Sequence, residues 1–115
     1  MAKCVVLWIS HKQATIVSIT GGVEQILHVE SKPNTRVEGR RGRPLSDHYR
    51  NVIHAILDAQ SIFIFGPARA KMELKSELLR AGALSQRVVG TEVADTMTEN
   101  QLVEKAREIC GLRHR

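Results

Sequence analysis

The hydrophobic period of the chain changes once, and that change limits the folds open to it. Up to residue 30 the apolar residues sit in β-rich segments. From residue 45 onward, short apolar runs alternate with stretches that repeat at helical spacing. Cys4 to Ile9 and Ala14 to Ile19 are rich in β-branched residues and flank the polar Ser10-His11-Lys12-Gln13, which reads as a hairpin. Gly21-Gly22 supplies the positive φ values of a two-residue turn. Val23 to Glu30 then returns as a third strand, with Ile26 and His28 on one face and Leu27 and Val29 on the other, until Pro33 and Asn34 stop it.

In the second half, Tyr49, Val52, Ile53, Ile56 and Leu57 fall on one face of a helix that begins near Leu45 or Ser46, leaving Asp47, Arg50, Asn51 and His54 to solvent. Ser61 to Phe65 is a short buried strand that Gly66-Pro67 turns into a helix over Ala68 to Ala81, stopped by Gly82. Arg87 to Thr91 is a further strand. Thr98-Glu99-Asn100-Gln101 is a capping box, after which Leu102, Val103, Ala106, Ile109 and Cys110 form a stripe that ends at Gly111. The order βββαβαβα implies an α/β fold. A β-meander followed by βαβα builds a five-stranded mixed sheet with about three helices packed on it. At 115 residues the chain reads as one domain, residues 1–115, able to bury roughly two thirds of its unfolded surface.

Between the third strand and the first helix lies a basic loop, residues 32–44, expected to be mobile and to carry function. Gly39-Arg40-Arg41-Gly42-Arg43-Pro44 sets three guanidinium groups around two glycines, so forked donors meet a backbone that a ligand can approach closely. Lys32, Arg36, Arg40, Arg41, Arg43 and Arg50 face only Glu38 and Asp47 between residues 32 and 50. With a formal charge of +5 and a pI near 9.7, the pattern points to a polyanion, nucleic acid first. Arg36, Arg40, Arg41, Arg43 and Arg50 are the candidate RNA contacts. Gly66 and Lys71 are a weaker candidate for phosphate contact, because a strand-to-helix turn presents unpaired N–H groups and a positive dipole end, although Pro67 removes one donor. Trp8, Tyr49, Phe63 and Phe65 are the aromatic residues and all suit core positions, so recognition of RNA would be of backbone and shape rather than of stacked bases.

No catalytic constellation emerges. A two-metal nuclease needs converging carboxylates, yet Asp47, Asp58 and Asp95 are scattered, and Glu92 with Asp95 reads better as surface helix capping. His48 and His54 are six apart, off one helical face, and His28 in a strand reads as a satisfied, half-buried histidine. Ser10 beside His11 lacks an orienting third group. Cys4 and Cys110 lie at opposite ends with no spacing partner, which argues against zinc and against a disulfide framework, so they read as reduced core cysteines of a cytoplasmic protein. No metal or cofactor is implied, and neither a signal peptide nor an apolar run of transmembrane length is found.

The same order of motifs resembles a known family. The Gly-Arg loop, His48-Tyr49-Arg50-Asn51-Val52, Ile62-Phe63-Ile64-Phe65-Gly66-Pro67 and Lys71-Met72-Glu73-Leu74-Lys75 are similar to the central domain of archaeal and eukaryotic class 1 peptide-chain release factors and of Pelota ribosome-rescue factors. Val5-Val6-Leu7-Trp8-Ile9, Ala70-Lys71 after Gly66-Pro67, and Val88-Val89-Gly90-Thr91-Glu92 with Asp95 and Thr98 resemble the small stand-alone bacterial members called translational machinery proteins. The resemblance implies a ribonuclease-H-like sheet and partners in the ribosome, rRNA or tRNA. Release factors carry Gly-Gly-Gln in this loop to promote ester hydrolysis, whereas Arg41-Gly42-Arg43 stands here, so hydrolysis of peptidyl-tRNA is not expected. Two rival readings remain open. Arg41-Gly42-Arg43-Pro44 also looks like a hook for the minor groove of A·T-rich DNA, and exposed strand edges would suit a protein-interaction module whose partner is unknown.

Overall fold

The computed structural model describes residues 2–30, 44–80 and 82–113. Its elements run β1 (Lys3–Ile9), β2 (Gln13–Thr20), β3 (Val23–Glu30), α1 (Pro44–Ala55), β4 (Ser61–Gly66), α2 (Ala68–Arg80), a 3₁₀ helix (Gly82–Arg87), β5 (Val88–Val93) and α3 (Glu99–Arg113). The five strands form one sheet in the order β3-β2-β1-β4-β5. The β1–β2 and β2–β3 pairs are antiparallel, while β1–β4 and β4–β5 are parallel, so this is the mixed sheet that the meander and the later alternation call for, in the arrangement that the family resemblance implies.

β1 is the centre strand and is covered on both faces. Val5, Leu7 and Ile9 point to one side, where they join Ile62 and Ile64 of β4, Val52, Ile53 and Ile56, and Leu74 and Leu78 of α2. Cys4, Val6 and Trp8 point to the other, against Phe65, Leu102, Ala106 and Cys110. The sheet thus separates α1 and α2 from α3. A period-two strand with both faces apolar can only be buried this way, which is why Cys4 to Ile9 shows no polar alternation. β3 lies at the sheet edge and is mostly exposed, including Ile26 and Leu27.

Local differences from the sequence reading have local causes. Leu57 lies beyond the end of α1 and is exposed, because the helix stops at Ala55 while Ile56 still reaches the core. Gly82, with φ 80°, ends α2 but opens a 3₁₀ turn rather than a plain loop, and β5 starts and ends later than expected, pairing to Gly66↔Val93. Gly111 does not stop α3, which continues to Arg113. His28 is exposed, with its Nε2 2.9 Å from Glu99 Oε1, rather than half-buried.

The cysteines require the largest correction. Cys4 and Cys110 are joined in a disulfide, with Cα atoms 5.9 Å apart and 106 residues of separation along the chain. Packing of α3 across β1 brings the two ends together, a relation that spacing along the chain does not encode. Among the described residues, no helix is long and apolar enough to cross a membrane.

Candidate nucleic-acid interface

The parallel strands give the sheet a polar direction, and the helices follow it. β1, β4 and β5 end at one pole, and the Gln13↔Glu30 pairing brings the start of β2 and the end of β3 to the same pole. α1 begins there, since His48 in its second turn meets Ser10. α2 begins two residues after Gly66, and the first residue of α3, Glu99, meets His28. Each helix presents roughly half a positive charge at its amino end, so three such ends face one pole. Arg36, Arg40, Arg41 and Arg43 lie outside the described residues. Glu30 and Pro44, which bracket them, are both at this pole.

The pole is organised by the Ser10 turn. Ser10 N–H donates to Gln13 O at 2.8 Å, and Ser10 Oγ accepts from the backbone N–H groups of Lys12 and Gln13 at 3.1 and 3.2 Å. His48 is buried, 1 % exposed, with Nε2 3.1 Å from Ser10 O and, among the described residues, no hydrogen-bond partner at Nδ1. Burial holds its imidazole below the ordinary range, against the raising effect of the Ser10 carbonyl, so it is the neutral ring that braces the turn. Next to it, Tyr49 donates its hydroxyl to Glu73 Oε1 at 2.7 Å. Burial first, and then the Glu73 carboxylate, push that phenol far above its usual range. Glu73 has two further neighbours: His11 Nε2 lies 3.3 Å from it without the alignment of a hydrogen bond, and the Arg69 guanidinium Nε lies 3.9 Å away. The β1–β2 turn, α1 and α2 are therefore locked together around one carboxylate.

Gly66 is at this pole for a backbone reason. A Cβ there would stand 2.3 Å from the Ile9 carbonyl oxygen, and its φ of 153° is one that side chains rarely adopt. Its own carbonyl accepts from Ala94 N–H at 2.9 Å. Lys71 is half-buried in the first turns of α2, and its N–H is already committed to Pro67 O at 3.0 Å, leaving only its ammonium for an anion. Arg50 is exposed and lines a shallow hollow of about 220 Å³ with Ile53, His54, Glu77 and Arg80, between α1 and α2. The structure thus separates Arg50 from the Glu73 cluster. Sequence reasoning missed the His48, Tyr49 and Glu73 contacts, because Ser10 and Glu73 lie far from α1 along the chain. Glu92 and Asp95 are both exposed, and no group of three His, Cys, Asp or Glu side chains converges among the described residues.

No protein-family model matches the chain. No curated protein sequence matches it either. Solved structures do. Pelota from Thermoplasma acidophilum superposes with a TM-score of 0.66 at 18 % identity, over 97 % of this chain and 34 % of that protein. Pelota from Archaeoglobus fulgidus gives 0.63 at 13 %, over 96 % and 34 %. The archaeal translation termination factor aRF1 gives 0.54 at 14 %, over 90 % and 33 %. The fold is that of a domain in Pelota and aRF1. At such identities the likeness is one of fold, and the chain spans about a third of the length of each of these proteins.

Proposed function

We propose that residues 1–115 form one release-factor-like domain that associates with the ribosome and binds rRNA or tRNA phosphates through Arg36, Arg40, Arg41 and Arg43, with Arg50 and the ammonium of Lys71 as flanking contacts. The observation that carries this reading is the convergence of both anchors of the arginine segment, Glu30 and Pro44, on the pole where all three helices begin. Forked guanidinium donors on a glycine-bearing backbone, backed by three positive dipole ends, suit phosphate oxygens more than bases. The fold shared with Pelota and aRF1 supports a partner in the translation apparatus and a cytoplasmic location. Without Gly-Gly-Gln the domain binds and does not hydrolyse peptidyl-tRNA.

The test is co-sedimentation with ribosomes and titration with structured RNA across a salt series, for the wild type and for a variant with Arg40, Arg41 and Arg43 changed to Ala. The variant loses affinity nearly equally for unrelated RNA sequences, and its salt slope falls by roughly two to three units, about one per lost phosphate contact. Unchanged affinity would refute the reading. A preference for A·T-rich duplex DNA abolished by the same substitutions would replace it with minor-groove binding.

A further inference from the structure

A hollow of about 550 Å³ opens at the opposite pole, between the β2–β3 turn and the end of α3, lined in part by Ile19, Gly21, Gly22, Cys110 and Gly111. The Glu24–Arg107 pair also contributes to its wall, with two hydrogen bonds of 2.6 and 3.0 Å between carboxylate and guanidinium. Glycines keep it open. Gly21 and Gly22 form the turn at φ 57° and 85°, and a Cβ built on Gly111 would meet nothing within 4 Å. One of the two disulfide-bonded residues, Cys110, therefore adjoins space that the fold leaves unfilled. Cys4 sits on the centre strand under α3, and the two are 2 % and 1 % exposed, Cys4 and Cys110 respectively, so neither sulfur is open to bulk solvent. Among the described residues the hollow gives an attacking group an approach to Cys110, with a small outward movement of the last turn of α3.

We propose that Cys110 is a thiol-exchange site at which a small thiol, entering this hollow, opens the disulfide and unties α3 from β1. In the first step the thiolate sulfur gives its electron pair to Cys110 Sγ. The bond to Cys4 breaks with its pair on Cys4 Sγ, which takes a proton. A mixed disulfide is left on Cys110. A second thiolate attacks the outer sulfur of that mixed disulfide, releasing the Cys110 thiol and forming the disulfide of the small thiol; two small thiols are oxidised as the protein disulfide is reduced. The consequence is mechanical. The carboxyl half of α3 loses its covalent tie to β1 and keeps the packing of Ala106 and Ile109 and the Arg107–Glu24 pair to β3, while the amino half, held by Leu102 and the capping box, stays in place.

The experiment incubates the native protein with 2-mercaptoethanol, traps free thiols with iodoacetamide and maps the products by peptide mass spectrometry. The mixed disulfide is found on Cys110 and the alkylated thiol on Cys4, at a rate proportional to thiol concentration. A Gly111→Leu variant, whose side chain occupies the hollow, reacts roughly tenfold more slowly while its circular dichroism and urea midpoint are kept or improved, since leucine is the better helix former. An adduct on Cys4, or exchange no faster than global unfolding, would overturn the proposal. An undiminished rate in Gly111→Leu would do the same. The mapping on the wild-type protein keeps the test decisive even if that variant folds poorly.

Discussion

Two glycines of the sheet make a matched pair of perturbations, because each is crowded but by a different kind of atom. In Gly66→Ala the new methyl carbon lies 2.3 Å from the Ile9 carbonyl oxygen and 3.4 Å from its carbonyl carbon and nitrogen. All three are backbone atoms of the centre strand, held by β2 on one side and β4 on the other, so no rotamer change relieves the contact. The φ of 153° adds strain of its own. Taking roughly 1–3 kcal/mol for the disfavoured backbone conformation and roughly 1–3 kcal/mol for overpacking, the expected loss is about 4 kcal/mol. In Gly90→Ala the methyl would meet Phe63 Cε2 at 2.5 Å and Cδ2 at 3.0 Å, atoms of a half-buried ring that can turn. An off-rotamer ring costs about 1 kcal/mol. Urea denaturation followed by the fluorescence of Trp8, the one tryptophan, reports on both, since its Nε1 donates to Ala94 O at 2.9 Å beside Gly66. With a slope of roughly 2 kcal/mol per molar, the midpoint drops by about 2 M for Gly66→Ala and by about 0.5 M for Gly90→Ala. If the two variants lose equal stability, or Gly90→Ala loses more, the distinction between backbone and side-chain obstacles is wrong for this sheet.

Two further outcomes follow from the cross-link and from the buried histidine. Changing Cys4 and Cys110 together to Ala releases a loop of 106 residues, and the chain-entropy relation puts the loss at about 4.7 kcal/mol; guanidinium unfolding showing less than about 1 kcal/mol of difference would refute that account. His48 is held below its ordinary 6.5 by burial, so as pH falls the unfolded chain takes up this proton first. The stability it contributes is present above about 6.5 and is lost as pH falls from there through the lower folded value. Urea midpoints taken between about pH 7.5 and 5.5 therefore decline more in the wild type than in His48→Gln, and parallel declines would dismiss His48 as the source.

The sequence by itself determined the kinds of element and their order, because each signal is short-range. β-branched runs around the Gly21-Gly22 turn made the meander, Gly66-Pro67 marked the passage from β4 to α2, and Thr98 with Gln101 capped α3 through reciprocal hydrogen bonds of 2.9 and 3.1 Å. Stop signals were less dependable. Gly82 does end α2, though a 3₁₀ helix follows it, whereas Gly111 lies within α3, since a glycine permits a break without compelling one. Of the candidate contacts, Gly66 was found for its turn, but its need for glycine comes from Ile9, which only the parallel pairing of β1 with β4 brings near. The tertiary structure alone decided the Cys4–Cys110 bond, the bracing of Ser10 by His48, the hold of Glu73 on Tyr49 and His11, and the shared pole of Glu30 and Pro44. These relations join residues far apart in the chain, and periodicity carries only what neighbours a few residues apart must do together; which distant groups meet depends on strand order and on the face each helix covers.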